Sequence, residues 1–334
     1  MSAEHPLDRL RPGMRAVVRY RGAAGMNDAL GQVERLDLHG VALRTRTGRR
    51  VVRREDVLLA KEVPPPPSRR GAQHRAISED DLERVMVDGW PPLERDRLGE
   101  WVLRASGGFT RRANSLLPLG DPGVPLAEAV ERAERWYADR GLPLVVASYV
   151  GDELPQHLAA RGYRTATRSL VMTASTGTVV AATHHRADRL LRRGGPDAVD
   201  VSVAVEPSAD WLAVAESTRA TDPAALRRIV TGSPEQLFAE VRGAGGDVLA
   251  IGRAPLAHVW AGLTNVHVEP PARRRGVASL LTGALAHAVR ARDVRSIWLQ
   301  VEEDNAPARA AWEELGFTVH HRYRYLIGPR ADER

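Results

Sequence analysis

From residue 13 to residue 63, apolar and polar positions alternate in short β-branched runs. Arg15–Tyr20, Leu30–Arg35, Val41–Thr45 and Arg50–Arg53 are each flanked by glycine, the pattern of strands joined by tight turns. Five or so strands in about fifty residues predict a small all-β closed barrel of the SH3-like kind. Pro64-Pro65-Pro66-Pro67 follows and reads as a stiff extended spacer. This places a barrel at 1–63 and a linker at 64–74.

From about residue 75 the period lengthens and helices alternate with strands. Helical periods cover Glu79–Val87, Leu126–Asp139 and Glu153–Arg161, and strand-like runs cover Trp101–Ala105, Leu144–Tyr149 and Tyr163–Met172. Residues 174–195 are rich in Ala, Thr, Arg and Gly and read as a connector, bounded at 176–198 between the two units. A second α/β unit is expected over 199–329. The end of the first unit, Leu158-Ala159-Ala160-Arg161-Gly162-Tyr163, recurs in outline as Trp312-Glu313-Glu314-Leu315-Gly316-Phe317. A helix stopped by glycine before a strand is common, but its position at the end of both units suggests diverged copies.

Composition narrows the class. The 334 residues suit two or three domains. No apolar run approaches the roughly 20 residues that span a bilayer, and residues 1–6 have no secretory pattern. A cytoplasmic location is therefore expected. With no cysteine in the chain, disulfides, thiolate nucleophiles and cysteine zinc sites are excluded. The net charge of +6 is uneven: residues 1–75 hold 16 Arg and Lys against 8 Asp and Glu, leaving 32 against 34 of the chain's 48 and 42. A basic N-terminal module can meet nucleic acid, though a solvated basic face on a small β domain is favoured.

The chemistry concentrates near residue 270. A strand, Thr264–Val268, ends at Glu269-Pro270-Pro271; Arg273-Arg274-Arg275-Gly276-Val277-Ala278 then opens a helix over Ser279–Ala291. Its apolar residues Leu280, Leu281, Ala284, Leu285, Ala288 and Val289 form one stripe. Free N–H groups and the positive dipole end at such a helix start attract phosphate. Gly276 allows close backbone approach, and small Ala278 and Ser279 leave room for a diphosphate.

Downstream come the strand Arg295–Val301, then Asp304-Asn305 before a helix over Ala306–Leu315, closed by Gly316-Phe317. The order Val-Glu-Pro, Arg-x-x-Gly-x-Ala, Leu-Gln-Val, Asn, Trp-Glu-Glu-Leu-Gly-Phe resembles the GNAT acetyltransferase superfamily across residues 257–326. The whole chain resembles tandem acetyltransferase-like proteins of high-GC bacteria that carry an SH3-like module, some of them described as histone acetyltransferases. The resemblance implies a duplicated GNAT fold, an α/β architecture with a mixed sheet, and acetyl-CoA as co-substrate. It implies that Val266 and Val268 pair with the pantetheine arm and that Arg273 is the first polar position of the loop. Arg274, Arg275, Gly276, Val277, Ala278 and Ser279 would cradle the diphosphate, and Asn305 would meet the pantetheine end. The first unit, 75–175, lacks that loop. Its Gly107-Gly108-Phe109-Thr110-Arg111-Arg112-Ala113-Asn114-Ser115 is glycine-rich and basic without the strand-loop-helix order, so this degenerate unit is expected to shape the acceptor pocket.

Direct attack of an amine on the thioester needs a proton acceptor for the amine, and the leaving thiolate benefits from a donor. Many relatives place tyrosine where this chain has Trp312, and ribosomal-protein acetyltransferases place glutamate where it has Gln300. Glu302, two residues on and thus on the same strand face, is the preferred base, against the alternative of a solvated carboxylate. Tyr325 is the preferred acid, with Tyr323 in reserve; both could be core aromatics. His267 and Glu269 remain alternatives for the base. No metal is expected, because the doublets His184-His185 and His320-His321 lack partners at ligand spacing. The reading is an N-acetyltransferase acting on a small-molecule or protein amine. A degenerate acetyl-CoA-binding sensor or scaffold, and a nucleic-acid-associated protein led by the barrel, are the alternatives.

Overall fold

The turn-rich start of the chain folds into its own unit. The computed structural model describes residues 5–11, 14–22, 25–45, 48–63, 73–149, 153–192, 198–219 and 222–329, and the chain divides into compact units Met1–Gly71 and Ala72–Arg334. The first holds strands β1 (Arg15–Gly22), β2 (Gly25–Asp37), β3 (Gly40–Thr45), β4 (Gly48–Arg53) and β5 (Val57–Glu62). They form one antiparallel sheet in the order β4-β3-β2-β1-β5 around Leu7, Val18, Val33, Leu43 and Val52. The expected barrel closure is not seen: among the described residues no ladder joins β4 to β5. Among the described residues each of these two edge strands is paired on one side only. The polyproline spacer at 64–67 lies outside the described residues.

The second unit contains α1 (Glu79–Gly89), β6 (Glu94–Leu98), β7 (Trp101–Ala105), α2 (Leu126–Ala138), β8 (Val145–Tyr149), α3 (Glu153–Ala160), β9 (Arg164–Ser175) and α4 (Thr176–Leu191). Next come β10 (Val199–Ala204), α5 (Ala209–Arg219), α6 (Pro223–Val230), β11 (Glu235–Gly243), β12 (Val248–Ala257) and β13 (Trp260–Val268). It ends with α7 (Val277–Arg290), β14 (Ser296–Glu302), α8 (Ala306–Glu314) and β15 (Thr318–Ile327).

Part of the connector expected at 176–198 is instead helix α4. Ser175 caps it by accepting from the Thr178 N–H at 3.1 Å. Its Thr- and Gly-containing start is a poor helix former, but Val179 and Leu190 pack into the core with Leu281 and Leu285 of α7, and a Cβ on Gly283 of α7 would stand 2.7 Å from the Thr183 hydroxyl. The two helices therefore touch backbone to side chain, and only glycine fits.

Eight strands form one mixed sheet in the order β10-β11-β12-β13-β14-β9-β15-β8. Alternate residues of β14 divide between its faces. Ile297, Leu299 and Val301 enter the core with Leu281 and Leu285 of α7, while Trp298 joins Leu82 and Met86 of α1 together with Tyr323 and Tyr325. Gly162 (φ +84) and Gly316 (φ +89) are the left-handed residues after α3 and α8, where glycine avoids the Cβ clash. The strands that follow them cross over. β9, from the first half, lies beside β14 of the second, and β15 lies between β9 and β8 of the first half.

Candidate active site

β13 and β14 run parallel from Trp260–Ser296 to Leu263–Leu299, and there the ladder stops. Beyond it the strands part, so the β14-facing edge of β13 from Thr264 onward has no strand partner. On its other edge β13 carries a bulge against β12, with register shifting between Ile251 and Arg253. Asn265 sits in that bulge with φ +52; asparagine tolerates the left-handed region better than most residues. The residue is 6% exposed, and among the described residues neither amide atom has a hydrogen-bond partner. An orphaned buried amide is rare and suits a site awaiting a ligand.

The gap between the strands opens into a cavity of about 470 Å³. Val266, Gln300, Glu302, Asn305, Trp312, Tyr323 and Tyr325 all line it. The Gln300 carbonyl oxygen is buried without a partner. Glu302 is exposed at the end of β14. Asn305 caps α8, its side-chain oxygen accepting from the Ala308 N–H at 3.2 Å. Trp312 stands edge-on to Phe317 with centroids 5.7 Å apart. Tyr323 and Tyr325 are both buried, and burial pushes the Tyr323 phenol well above its ordinary range, with neighbouring Tyr325 adding to the effect.

A second hollow, about 570 Å³, lies where β13 runs out; Val268, Arg273, Arg274, Arg275, Gly276, Val277, Ala278 and Ser279 line it. The Arg273 Nε donates to the Val268 carbonyl at 3.0 Å, fixing the loop to the strand. Arg274 (φ +62) and Gly276 (φ +89) are both left-handed, a backbone habit that turns successive N–H groups toward an anion. Gly276 is the N-cap of α7, without a side-chain cap bond, and a Cβ there would meet nothing within 4 Å. The space over the helix start is open, as a diphosphate requires.

The predicted residues thus fall into two neighbouring hollows joined along β13. His267 and Glu269 belong to neither lining; they pair with each other, Nε2 to Oε1 at 3.4 Å. Asn265, Trp90 and Arg253 are residues that no local pattern in the sequence singles out for the site. Asparagine within a β run is unusual and was the available signal for the bulge. The glycine-rich 107–115 segment does reach the cavity through Thr110, Arg111 and Arg112, held by Asn114, whose side-chain oxygen accepts from the Ser106 and Gly108 N–H groups. Arg253 is fully buried on neutral acceptors: the Gly89 carbonyl (2.8 Å), the Ser233 hydroxyl (2.8 Å) and the Gln236 carbonyl oxygen (2.7 Å). Burial, with a smaller push from Arg112, lowers it to about 9, still cationic at neutral pH.

A mixed sheet that splays beside a basic loop at a helix start defines an acyltransferase of the GNAT class. Residues 78–326 match the family model described as "Probable histone acetyltransferase Rv0428c C-terminal", and the chain belongs to that family. It is 29% identical over 322 residues to the probable histone acetyltransferase Rv0428c of Mycobacterium tuberculosis, covering 94% of each chain. Its fold is similar to a GCN5-related N-acetyltransferase from Kribbella flavida, at TM-score 0.54 and 18% identity over 76% of this chain and 98% of that one. It is also similar to a tandem GNAT protein from the clavulanic acid biosynthesis pathway, at TM-score 0.52 and 16% identity over 78% and 91%. The protein is an N-acetyltransferase. Among the described residues no group of three or more His, Cys, Asp or Glu could hold a metal ion, and no helix is long and apolar enough to cross a membrane.

Proposed function

We propose that the chain transfers the acetyl group of acetyl-CoA to an amine held in the 470 Å³ cavity, by direct attack and without an acyl-enzyme. The observation that carries this is the parting of β13 from β14 after Leu263–Leu299, with the basic loop at the end of the same strand. The loop 273–279 would take the diphosphate, and Val266 and Val268 would pair through their backbone with the pantetheine arm. Asn305 would meet the arm's far end. Glu302 would accept the amine proton, directly or through a water. As the C–S bond breaks, Tyr325 would donate to the leaving thiolate; the Trp312 indole, a very weak acid, could not. Positioning of the two substrates supplies most of the rate on this reading.

The degenerate first half, 75–175, would supply the acceptor wall rather than a second donor site. The N-terminal module is read as SH3-like, its five strands following one another in the order β4-β3-β2-β1-β5, and the location is read as cytoplasmic, as the sequence pattern suggests. Calorimetry with acetyl-CoA followed by thiol release across an amine panel tests the proposal. A histone, the acceptor in the name of the Mycobacterium tuberculosis relative, belongs in that panel. Trp312 and Gln300 motivate one other reading, a sensor that binds acetyl-CoA without turnover. Binding with no thiol release on any amine would favour it.

A further inference from the structure

The cavity wall contributed by the first half is cationic. Arg111 and Arg112 line it, and Glu302 is the only acidic residue among the lining side chains. The Arg111 Nη1 is tied to the Thr167 hydroxyl at 2.8 Å. Among the described residues Arg112 has no such tie: its Nε is buried without a hydrogen-bond partner, and its Cζ stands 5.5 Å from the centre of the Trp90 ring. Arg253 approaches that same ring at 6.0 Å. Its acceptors are all neutral, so its charge is dispersed but not cancelled. Among the described residues neither of these two guanidinium groups around one indole is paired to a carboxylate, and together they raise the local potential. Bringing like charges together there is costly unless an anion completes the arrangement. Asn265, its amide orphaned in the bulge, adds a donor and an acceptor to the same cavity.

Size sets a second limit. The 470 Å³ volume must also take the acetyl end of the donor. What remains suits a small molecule.

Resting on the acetyltransferase reading above, we propose that the acceptor is a small amine carrying its own anionic group, a carboxylate or phosphate, and that Arg112 grips that group. The planar fork of Arg112 matches either anion with two parallel hydrogen bonds. Arg253 acts from behind Trp90 as a fixed positive charge. The amine is thereby turned away from the arginines and toward the parting of the strands. A polycationic peptide would meet the same arginines as repulsion.

The full chain, acetyl-CoA and a thiol-release assay test this with matched acceptors: amino acids, their carboxamides, aminoalkylphosphonates of similar length, and a lysine-rich peptide. The carboxylate or the phosphonate should exceed the carboxamide in kcat/KM by roughly tenfold to a hundredfold, the range of a charge-assisted hydrogen-bond pair. Which of the two leads identifies the anion. Arg112→Gln should bring that ratio near one, and Arg112→Lys should restore part of it. Acetyl-CoA affinity by calorimetry serves as the folding control. Equal turnover of carboxamides, a preference that survives Arg112→Gln, or the peptide as best acceptor would overturn the inference while leaving the transferase intact. A protein that binds no acetyl-CoA, or binds it and turns over nothing, would overturn the underlying reading and this inference with it.

Discussion

The hydroxyls of Tyr323 and Tyr325 lie 3.4 Å apart in the cavity wall, their rings nearly perpendicular at 86°. The Tyr323 phenol, held well above its ordinary range by burial, stays protonated and can supply a hydrogen bond to its neighbour. Tyr325→Phe should therefore lower kcat by roughly 10²-fold or more, the usual scale of lost general-acid help. The dissociation constant for acetyl-CoA should hardly move. Tyr323→Phe, removing only the supporting hydroxyl, should cost less than Tyr325→Phe. The opposite order would assign the donor to Tyr323.

Gly276→Glu should abolish acetyl-CoA binding without unfolding the chain, since an added Cβ meets nothing within 4 Å. The carboxylate would occupy the phosphate space and oppose the helix dipole. The left-handed φ of +89 imposes its own strain on any side chain, so Gly276→Asn is the control, asparagine being at ease in that region. Calorimetry should find binding lost in the first variant and retained, though weakened, in the second. Equal loss in both would trace the effect to backbone conformation instead.

Glu302→Gln should reduce kcat by roughly 10²- to 10⁴-fold on the true acceptor, the span typical of a missing general base. Acetyl-CoA affinity should remain, because the loop and β13 are untouched. Single-turnover kinetics would separate the chemical step from product release. A variant with nearly full kcat would move the base to a water chain.

Two histidines predict an acid-sensitive core. Burial, then the charge of His321, depresses His320, although its bond to the Ile77 carbonyl opposes this; burial, then Arg75 and His320, depresses His74. Both folded-state values lie below the unfolded value of about 6.5, so the native state binds fewer protons. Stability is then complete above about pH 6.5 and declines as pH falls below it. Melting curves from pH 8 to 5 should show Tm dropping, with a shallower slope in His320→Gln. An unchanged slope would remove His320 from the account.

Local chemistry made much of both halves readable. The stripe on α7, the cap at Asn305 and the glycines at 162 and 316 are signals contained within a few residues. They placed the strand-loop-helix unit correctly. Three features resisted because their causes are distant in sequence. Helix α4, weak at its Thr- and Gly-containing start, packs Val179 and Leu190 into the core with Leu281 and Leu285 of α7. The cationic wall at Arg112 and the buried charge of Arg253 meet around Trp90 from distant points of the chain. The bulge at Asn265 is decided by register against β12. Closure of the N-terminal sheet was an expectation from strand number, and strand number alone does not fix which edges pair.

The crossing of β9 and β15 interlocks the two halves. Each half carries a strand seated against the other's, and Tyr323 and Tyr325 reach the acceptor wall on a strand flanked by β8 and β9. Neither half can be lost by gene deletion, nor swapped for a relative's, without opening a slot in the sheet of the one that remains. A chain cut between α4 and β10 would behave as a split enzyme, its pieces inactive alone and competent only on reunion. During synthesis the same geometry delays catalysis: β8 and β9 must wait for residues 318–327 to leave the ribosome before the acceptor wall exists.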